Sequence, residues 1–155
     1  MEPWRARELS MTSSGTEPLP RIVLDTSAYA HFRHGHTKVL ELIAGAGVVF
    51  LPVIALGELE AGFELGTRAK ENRIVLGEFL EEPFVSILEL TPSVARRYGL
   101  LFARLRRAGT PLPINDVWIA AATLDCGGHL VTFDDDYRRV ESLDCTVLSP
   151  ASISG

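Results

Sequence analysis

The sequence has few of the residues that define disulfide-stabilised, zinc-binding or membrane proteins. Only two of its 155 residues are cysteine, and Cys126 and Cys145 fit neither a disulfide framework nor a zinc-ligand spacing. No apolar run approaches the roughly 18 residues that span a bilayer, and the N-terminus lacks the apolar block of a signal peptide. We therefore expect reduced thiols, a cytoplasmic location and no membrane contact.

Lysine is almost absent, because Lys38 and Lys70 are the only two and neither follows a predicted strand. A phosphatase with an aspartyl nucleophile needs a lysine near its site and a second acid two residues after the nucleophile. Ser27 stands at that position relative to Asp25. The sequence therefore argues against such a phosphatase, and against a response-regulator receiver for the same reason.

The net charge of −5 shows no basic excess of the kind that phosphate-binding proteins usually carry. If metal ions neutralised four of the 20 acids, 16 would remain against 15 lysines and arginines, so the rest of the surface would be nearly balanced. Five arginines fall on one predicted helix, where a solvated face is the simpler interpretation and contact with phosphate or a partner protein is the alternative. They are Arg96, Arg97, Arg104, Arg106 and Arg107.

Short apolar runs typical of buried strands alternate with helical patterns along the chain. This alternation predicts one α/β domain with a mostly parallel sheet of about five strands. We expect residues 1–20, rich in Ser, Thr, Gly and Pro towards their end, to form a flexible leader, 21–150 the domain and 151–155 a short tail. The predicted strands are 21–25, 47–51, 84–88, 129–133 and 145–149, and the predicted helices are 27–33, 36–46, 53–66, 68–81, 93–108 and 114–126.

Four acids lie where a charge is unusual. Asp25 closes the first predicted strand and Asp134 follows the fourth, and the carboxyl ends of parallel strands form the binding edge of an α/β sheet. Glu58 lies inside an otherwise apolar helix. Asp116 lies in the first turn of an Ala-rich helix that we expect to be buried. The pattern favours a cluster of carboxylates at one edge of the sheet.

Each acid also has a purely structural interpretation. Asp25 is a favourable cap for the following helix, Glu58 is explained equally by exposure to solvent, and Asp116 complements a helix dipole. Gly57 and Gly62 lie on the same helix as Glu58 and predict a close approach of another backbone. That prediction favours a site over an exposed charge at Glu58.

Carboxylates brought together repel one another by roughly 4 kcal/mol per pair at 4 Å and an effective dielectric constant of about 20. Hard divalent cations relieve this repulsion, and ligands that are all oxygen select Mg²⁺ or Mn²⁺ over zinc. Cations held in this way activate a water molecule, orient it in line with a phosphodiester and stabilise the leaving oxygen. Such a site hydrolyses its substrate without a histidine base.

Four blocks resemble, in order and spacing, the signature blocks of PIN-domain ribonucleases, and look most like the VapC-type toxins of VapBC toxin–antitoxin pairs. The blocks are LDTSA (24–28), GELEAG (57–62), NDVWIAA (115–121) and VTFDDDY (131–137). The resemblance covers residues 21–148 and implies a three-layer α/β/α fold whose acids bind one or two Mg²⁺ or Mn²⁺ ions and hydrolyse RNA. The positions that match the acidic quartet are Asp25, Glu58, Asp116 and Asp134.

The resemblance also implies supporting residues and partners. Hydroxyl or amide side chains match positions beside three of the acids, Asp136 matches an outer position, and Asp135 is expected to face solvent. The implied partners are an RNA substrate, a cognate antitoxin whose tail blocks the acidic site, and a second copy of the chain in a homodimer. The predicted docking surface for the antitoxin is an apolar groove between helices 36–46 and 53–66. The supporting residues are Thr26, Ser27, Asn115, Thr132 and Asp136.

Two other functions stay open at this point: a housekeeping RNA-processing nuclease without an antitoxin, and a binding module that kept the PIN fold without catalysis. The complete acidic quartet argues against the binding module. We interpret His31, His34 and His36 as a solvated turn rather than as zinc ligands or RNA contacts. We interpret Phe102 and Trp118 as core residues rather than as platforms for stacked bases.

Overall fold

The computed structural model describes residues 18–150, so the expected tail and nearly all of the expected leader lie outside the described residues. Within the described range, the predicted alternation of strands and helices is confirmed, and a 3-10 helix that the sequence patterns did not predict follows the fourth strand. The strands are β1 (Arg21–Leu24), β2 (Val48–Pro52), β3 (Val85–Leu88), β4 (His129–Thr132) and β5 (Cys145–Val147); the helices are α1 (Thr26–Arg33), α2 (Thr37–Ala44), α3 (Val53–Leu65), α4 (Ala69–Leu80), α5 (Pro92–Arg107) and α6 (Ile114–Asp125), and the 3-10 helix is Asp135–Arg139.

The five strands form one sheet in the order β3–β2–β1–β4–β5, and every neighbouring pair is parallel. The chain moves from β1 outwards to β2 and β3, and then crosses back to β4 on the other side of β1. Because crossovers between parallel strands are right-handed, the reversal places α1–α4 on one face of the sheet and α5 and α6 on the other. The predicted three-layer α/β/α fold is confirmed, with a fully parallel sheet.

Burial on both faces explains why the central strands are mostly apolar. Three consecutive residues of β1 and three of β4 are almost fully buried, as expected for strands covered by helices on both sides. Helix α6 packs against α5 and includes three consecutive buried alanines. These residues are Ile22, Val23 and Leu24 of β1, Leu130, Val131 and Thr132 of β4, and Ala120, Ala121 and Ala122 of α6.

The strand order reverses between β1 and β4, and this point positions the functional edge. Leu24 lies beside Val131 in the register of the two strands, and the backbone N–H of Asp25 donates to the Val131 carbonyl at 3.3 Å. Ligands of open α/β sheets bind outside the carboxyl ends of the strands at such a reversal. The residues that follow β1 and β4 therefore meet at the expected binding edge.

The predicted docking groove is wrong in one of its two walls. Helix α3 packs against α1 and α4, and a groove of about 270 Å³ lies between these three helices. Helix α2 packs against α1 and contributes no residue to the lining of that groove. Helix α1 therefore occupies the place beside α3 that the sequence patterns assigned to α2.

The described end of the expected leader already contacts the domain. The Pro20 carbonyl accepts a hydrogen bond from the Gly47 N–H at 2.9 Å, and a Cβ atom added at Gly47 would lie 3.0 Å from the Leu19 Cβ. Glycine at position 47 therefore allows the N-terminal segment to lie against the start of β2. Among the described residues, no helix is long and apolar enough to cross a membrane.

We predict that removal of residues 1–17 leaves the melting temperature unchanged, whereas removal of 1–20 lowers it by a few degrees. The longer deletion removes the acceptor of the Gly47 N–H, a hydrogen bond worth about 1 kcal/mol. Thermal unfolding of the two truncated proteins, beside the full chain, measures the difference. An equal and large loss in both would show that the residues before position 18 also stabilise the fold.

Candidate active site

Asp25 is the buried centre of the site. It follows β1, is only 5% exposed, and caps the N-terminus of α1, where its Oδ1 accepts from the Ala28 N–H at 2.8 Å. The Ser27 hydroxyl donates to the same oxygen at 2.6 Å, and the Thr132 hydroxyl donates to Oδ2 at 2.5 Å. Asp25 therefore caps α1 and also lies at the candidate site, so the two interpretations of this residue are compatible.

The hydroxyl groups beside Asp25 also hold the segment that carries Asp134. Ser27 Oγ accepts from the Phe133 N–H at 3.0 Å, and Thr132 Oγ1 accepts from the Asp134 N–H at 3.0 Å. Both hydroxyls thus donate to Asp25, and each accepts a hydrogen bond from the backbone N–H of Asp134 or of the residue before it. Asp134 in turn caps the 3-10 helix, because its Oδ1 accepts from the Asp136 N–H at 2.9 Å.

Glu58 reaches the site from α3, where it is half-buried. Its Oε1 accepts a hydrogen bond from the Thr26 hydroxyl at 2.7 Å, which joins α3 to the first turn of α1. The expected close approach of another backbone to this helix is wrong, because a Cβ atom added at Gly57 or Gly62 would meet nothing within 4 Å. The glycines leave open space beside Glu58 instead.

Asp116 lies in the first turn of α6 and is held by a residue that the sequence patterns did not single out. The Tyr137 hydroxyl donates to Asp116 Oδ1 at 3.0 Å, and the Tyr137 side chain is 1% exposed. Tyr137 belongs to the 3-10 helix and follows three aspartates. The one sequence feature that could have indicated its role is an aromatic residue within a charged segment. The contact joins α6 to the segment that follows β4.

The carboxylates affect one another's protonation. The pKa of Asp116 is raised to about 6, mainly by burial; the hydrogen bond from Tyr137 opposes the rise, and the negative charges of Asp134, Glu58 and Asp25 add to it. Burial also raises the pKa of Asp25, although the three donors around it lower it. The pKa of Tyr137 lies far above its ordinary value because the ring is buried beside carboxylates, so its hydroxyl stays a proton donor.

The oxygen atoms that remain free suit a hard divalent cation. One oxygen each of Glu58, Asp116 and Asp134 accepts a hydrogen bond, and their second oxygens accept none from the described residues. Within residues 18–150, no three His, Cys, Asp or Glu side chains lie close enough to enclose an ion. Repulsion between like charges opposes such convergence when no cation neutralises them. The donor chemistry fits Mg²⁺ or Mn²⁺.

Two of the predicted supporting residues, Asn115 and Asp136, lie at the margin of the site. Asn115 is exposed, and its side chain forms no hydrogen bond with the described residues. The Asp136 carboxylate pairs with Arg139 at 3.1 Å, so only its backbone N–H supports Asp134. Asp135 is exposed, as predicted, and pairs with Arg138 at 3.2 Å.

The prediction of a solvated turn is wrong for His36 and correct for His34, which is exposed. The His36 side chain is 0% exposed; it caps α2 by accepting from the Val39 N–H at 3.4 Å and contacts the Ser149 carbonyl at 3.0 Å. His31 is half-buried and stacks on the Phe133 ring at a centroid distance of 3.8 Å. These contacts hold the chain next to Asp134. Local sequence patterns do not predict them, because they join distant segments.

The fold and site define an α/β protein whose carboxylates gather where the order of a parallel sheet reverses. The chain belongs to the PIN domain family, whose model matches residues 22–143. Ribonuclease VapC4 from Mycobacterium tuberculosis is 32% identical over 102 residues, which are 64% of this chain and 73% of that protein. Ribonuclease VapC5 from the same organism is 28% identical over 121 residues, 77% of this chain and 87% of that protein.

A solved structure shows the same fold at lower identity. The crystal structure of VapBC2 from Rickettsia felis, bound to a DNA fragment from its promoter, contains a chain that is 24% identical to this one. The two superpose with a TM-score of 0.73, over 82% of this chain and 98% of that chain. The family predicted from the four sequence blocks is confirmed.

We predict that the metal-free protein becomes more stable as the pH falls from 7.5 to 5, and that Asp116→Asn reduces this dependence. Because the folded-state pKa of Asp116 is about 6 against an ordinary 3.8, folding favours its protonated form, and that stability is lost as the pH rises through 6. Thermal unfolding in EDTA across this range measures it. An identical pH dependence in the variant would contradict the raised pKa.

We predict that Tyr137→Phe raises the pKa of Asp116 further, because it removes the hydrogen bond that favours the ionised carboxylate. The carbon-13 shift of the Asp116 carboxyl, assigned by comparison with Asp116→Asn, should titrate at a higher pH than in the parent protein. The melting temperature should fall by a few degrees, since about 1 kcal/mol is lost with one buried hydrogen bond. An unchanged or lower titration midpoint would show that the hydroxyl does not stabilise the charge.

Proposed function

We propose that this chain is the toxin endoribonuclease of a VapBC-type toxin–antitoxin pair, and that its four acids hold the Mg²⁺ or Mn²⁺ with which it hydrolyses RNA. One observation carries the assignment of the site. Acids from four distant segments come together at the reversal of the sheet, joined by hydrogen bonds from Thr26, Thr132 and Tyr137, and near enough for the other three charges to add to the effect of burial on the pKa of Asp116. The acids are Asp25, Glu58, Asp116 and Asp134.

The ribonuclease activity follows from the family. Both curated relatives are named ribonucleases of the VapC type, and one of them is 32% identical over 73% of its length. All four acids of the resemblance are present, and each accepts at least one hydrogen bond. This chain is a PIN-domain ribonuclease, and the complete quartet argues against a binding module that lost catalysis.

The chain's own residues prepare the site for hydrolysis. Bound divalent cations supply Lewis acidity, an activated water molecule and stabilisation of the leaving oxygen. Asp25 is held rigidly at both oxygens by Ser27 and Thr132, whereas Glu58 and Asp116 each keep one oxygen free for a cation. Because hydrogen bonds orient every carboxylate beforehand, little reorganisation is needed when charge develops on the phosphate.

An antitoxin and a second copy of the chain are the proposed protein partners. Solved structures with this fold include VapBC complexes from Rickettsia felis and Salmonella typhimurium, which favours the toxin role over a housekeeping nuclease. We place the antitoxin in the groove between α1, α3 and α4, which contains the apolar side chains of Leu59 and Phe63. We also propose a homodimer and a cytoplasmic location, where the RNA substrate is found.

We predict that the purified protein cuts single-stranded RNA or an RNA loop only with Mg²⁺ or Mn²⁺, and that Asp116→Asn lowers the rate at least a hundredfold. The loss corresponds to about 2.7 kcal/mol of transition-state stabilisation, since the amide keeps the shape but not the charge that holds a cation. The variant should fold, and its stabilisation by added Mg²⁺ should shrink. Cleavage of labelled RNA and thermal unfolding measure the two effects.

Asp135→Asn is the matched control, because Asp135 is an exposed acid in the same segment as Asp134. It should leave the rate within about twofold, whereas Asp25→Asn should behave as Asp116→Asn does. Full cleavage in EDTA would contradict metal dependence. A collapsed fold in Asp116→Asn would assign that acid a structural role.

A further inference from the structure

A second groove lies beside the carboxylates and has no role in the hydrolysis described above. It encloses about 510 Å³ between the last turns of α5, the loop 108–113 and the first turn of α6. Its walls include Phe102, Leu105, Ile114 and Val117, and Arg106 is the one charged side chain that lines it within residues 18–150. The groove is therefore apolar with a single cationic edge.

The groove and the carboxylates share one turn of helix. In the first turn of α6, Asp116 faces Tyr137 and the other acids, whereas Ile114 and Val117 line the groove. An α-helix with its side chains is about 10–12 Å across, which corresponds to roughly three stacked nucleotides at about 3.4 Å each. The groove and the carboxylates are thus separated by about the width of one helix, which a few nucleotides of a single strand can span.

The groove contains a place of the right width for a flat group. The Arg106 guanidinium lies 6.0 Å from the centroid of the Phe102 ring. Two stacking distances of about 3.4 Å amount to roughly 7 Å, so a small movement of the exposed arginine admits one base between ring and guanidinium. Aromatic rings and arginine planes are the groups on which unpaired RNA bases stack.

The opposite wall is held in place by the segment that supports the active site. Arg139 Nη1 donates to the Pro111 carbonyl at 2.8 Å, and Pro111 lines the groove. Arg139 lies in the same 3-10 helix as Tyr137, which donates to Asp116. The position of the groove is thus coupled to that of the carboxylates by one short element.

The charge around the groove favours a polyanion. Helix α5 carries five arginines and no acid, although the chain as a whole has a net charge of −5. No aspartate or glutamate occurs anywhere between Pro92 and Asn115. An apolar slot on an arginine-rich helix suits a nucleotide, which combines a flat base with a phosphate, better than an apolar peptide.

We propose that this groove binds one unpaired nucleotide of the RNA substrate, close to the cleaved bond, with its base between Phe102 and Arg106 and against Ile114. The inference rests on the proposed ribonuclease function and adds a determinant of which RNA is cut. It also revises the interpretation of Phe102 as a core residue only, since one side of the ring packs on the core and the ring also lines the groove.

The test is a double-mutant cycle between the RNA and the groove, with binding measured in the Asp116→Asn background in Mg²⁺. The probe is a single-stranded oligoadenylate that carries one 2-aminopurine, compared with oligomers in which one base at a time is removed. Loss of one particular base should weaken binding about tenfold. Ile114→Ser and Arg106→Gln should cause the same loss and abolish the further effect of removing that base.

Two exposed residues on α5 provide matched controls. Leu100 is 57% exposed against 59% for Ile114 and does not line the groove, so Leu100→Ser should change binding little. Arg96→Gln is the corresponding control for Arg106→Gln, because it removes one positive charge from the same helix. All four substitutions are at exposed positions, so the melting temperatures should stay within a few degrees of one another.

The outcomes separate this inference from the proposed function. Suppose that RNA binding depends on one base and on Ile114, but that the parent protein does not cut RNA. This result would support nucleotide binding in the groove and contradict the proposed ribonuclease activity. Suppose instead that the parent protein cuts RNA, but that Ile114→Ser and Arg106→Gln weaken base-dependent binding no more than the control variants do. This result would overturn only the proposal that the groove binds a nucleotide. Failure to bind RNA would overturn both. If Ile114→Ser instead dissociates a dimer, the groove is a protein interface and the proposal is wrong.

Discussion

The burial of Asp25 is the constraint on which the arrangement of the site depends. A buried carboxylate without hydrogen-bond partners is very unfavourable, and here Ser27, Ala28 and Thr132 supply three donors to its two oxygens. Asp25 and Thr132 are 107 positions apart in the sequence. Satisfying one charge therefore fixes the end of β4 against the start of α1, and with it the position of Asp134.

The remaining acids are arranged so that the fold tolerates their repulsion without a cation. Each is oriented by one donor, Thr26 for Glu58 and Tyr137 for Asp116, while its second oxygen points away from that bond. Burial, and to a smaller extent the neighbouring charges, raise the pKa of Asp116, so its ionised form is less favourable in the folded protein than in water. A protein selected for stability alone would separate or neutralise these side chains, as trade-offs between stability and activity lead one to expect.

Charge is also distributed unevenly over the molecule. Acids lie together at the carboxyl edge of the sheet. Helix α5, which covers one face of the sheet, carries five arginines and no acid. The 3-10 helix joins the two regions, since Tyr137 contacts Asp116 and Arg139 contacts the loop after α5. A net charge of −5 therefore conceals an arginine-rich helix, because composition averages over regions of opposite sign.

Much of the fold could be predicted from the sequence for local physical reasons. Apolar runs such as RIVL and HLVT are buried on both faces, and Thr91 with Pro92 begins α5 as expected of a cap followed by proline. The five strands and six helices lie within a few residues of the predicted ranges. The acids were recognised because a charge that follows or interrupts an apolar run needs an explanation.

The sequence by itself determined the order of strands and helices and the parallel sheet, and it singled out the four candidate acids, because periodicity, helix caps and isolated charges are local signals. Tertiary structure decided which side chains meet those acids. Tyr137 and His36 look like surface residues in the sequence, yet contacts with Asp116 and Ser149 bury them. Tertiary structure also decided that α1 lines a groove with α3, and that a second groove lies next to Asp116. Both grooves depend on the packing of distant elements, which local sequence patterns do not predict.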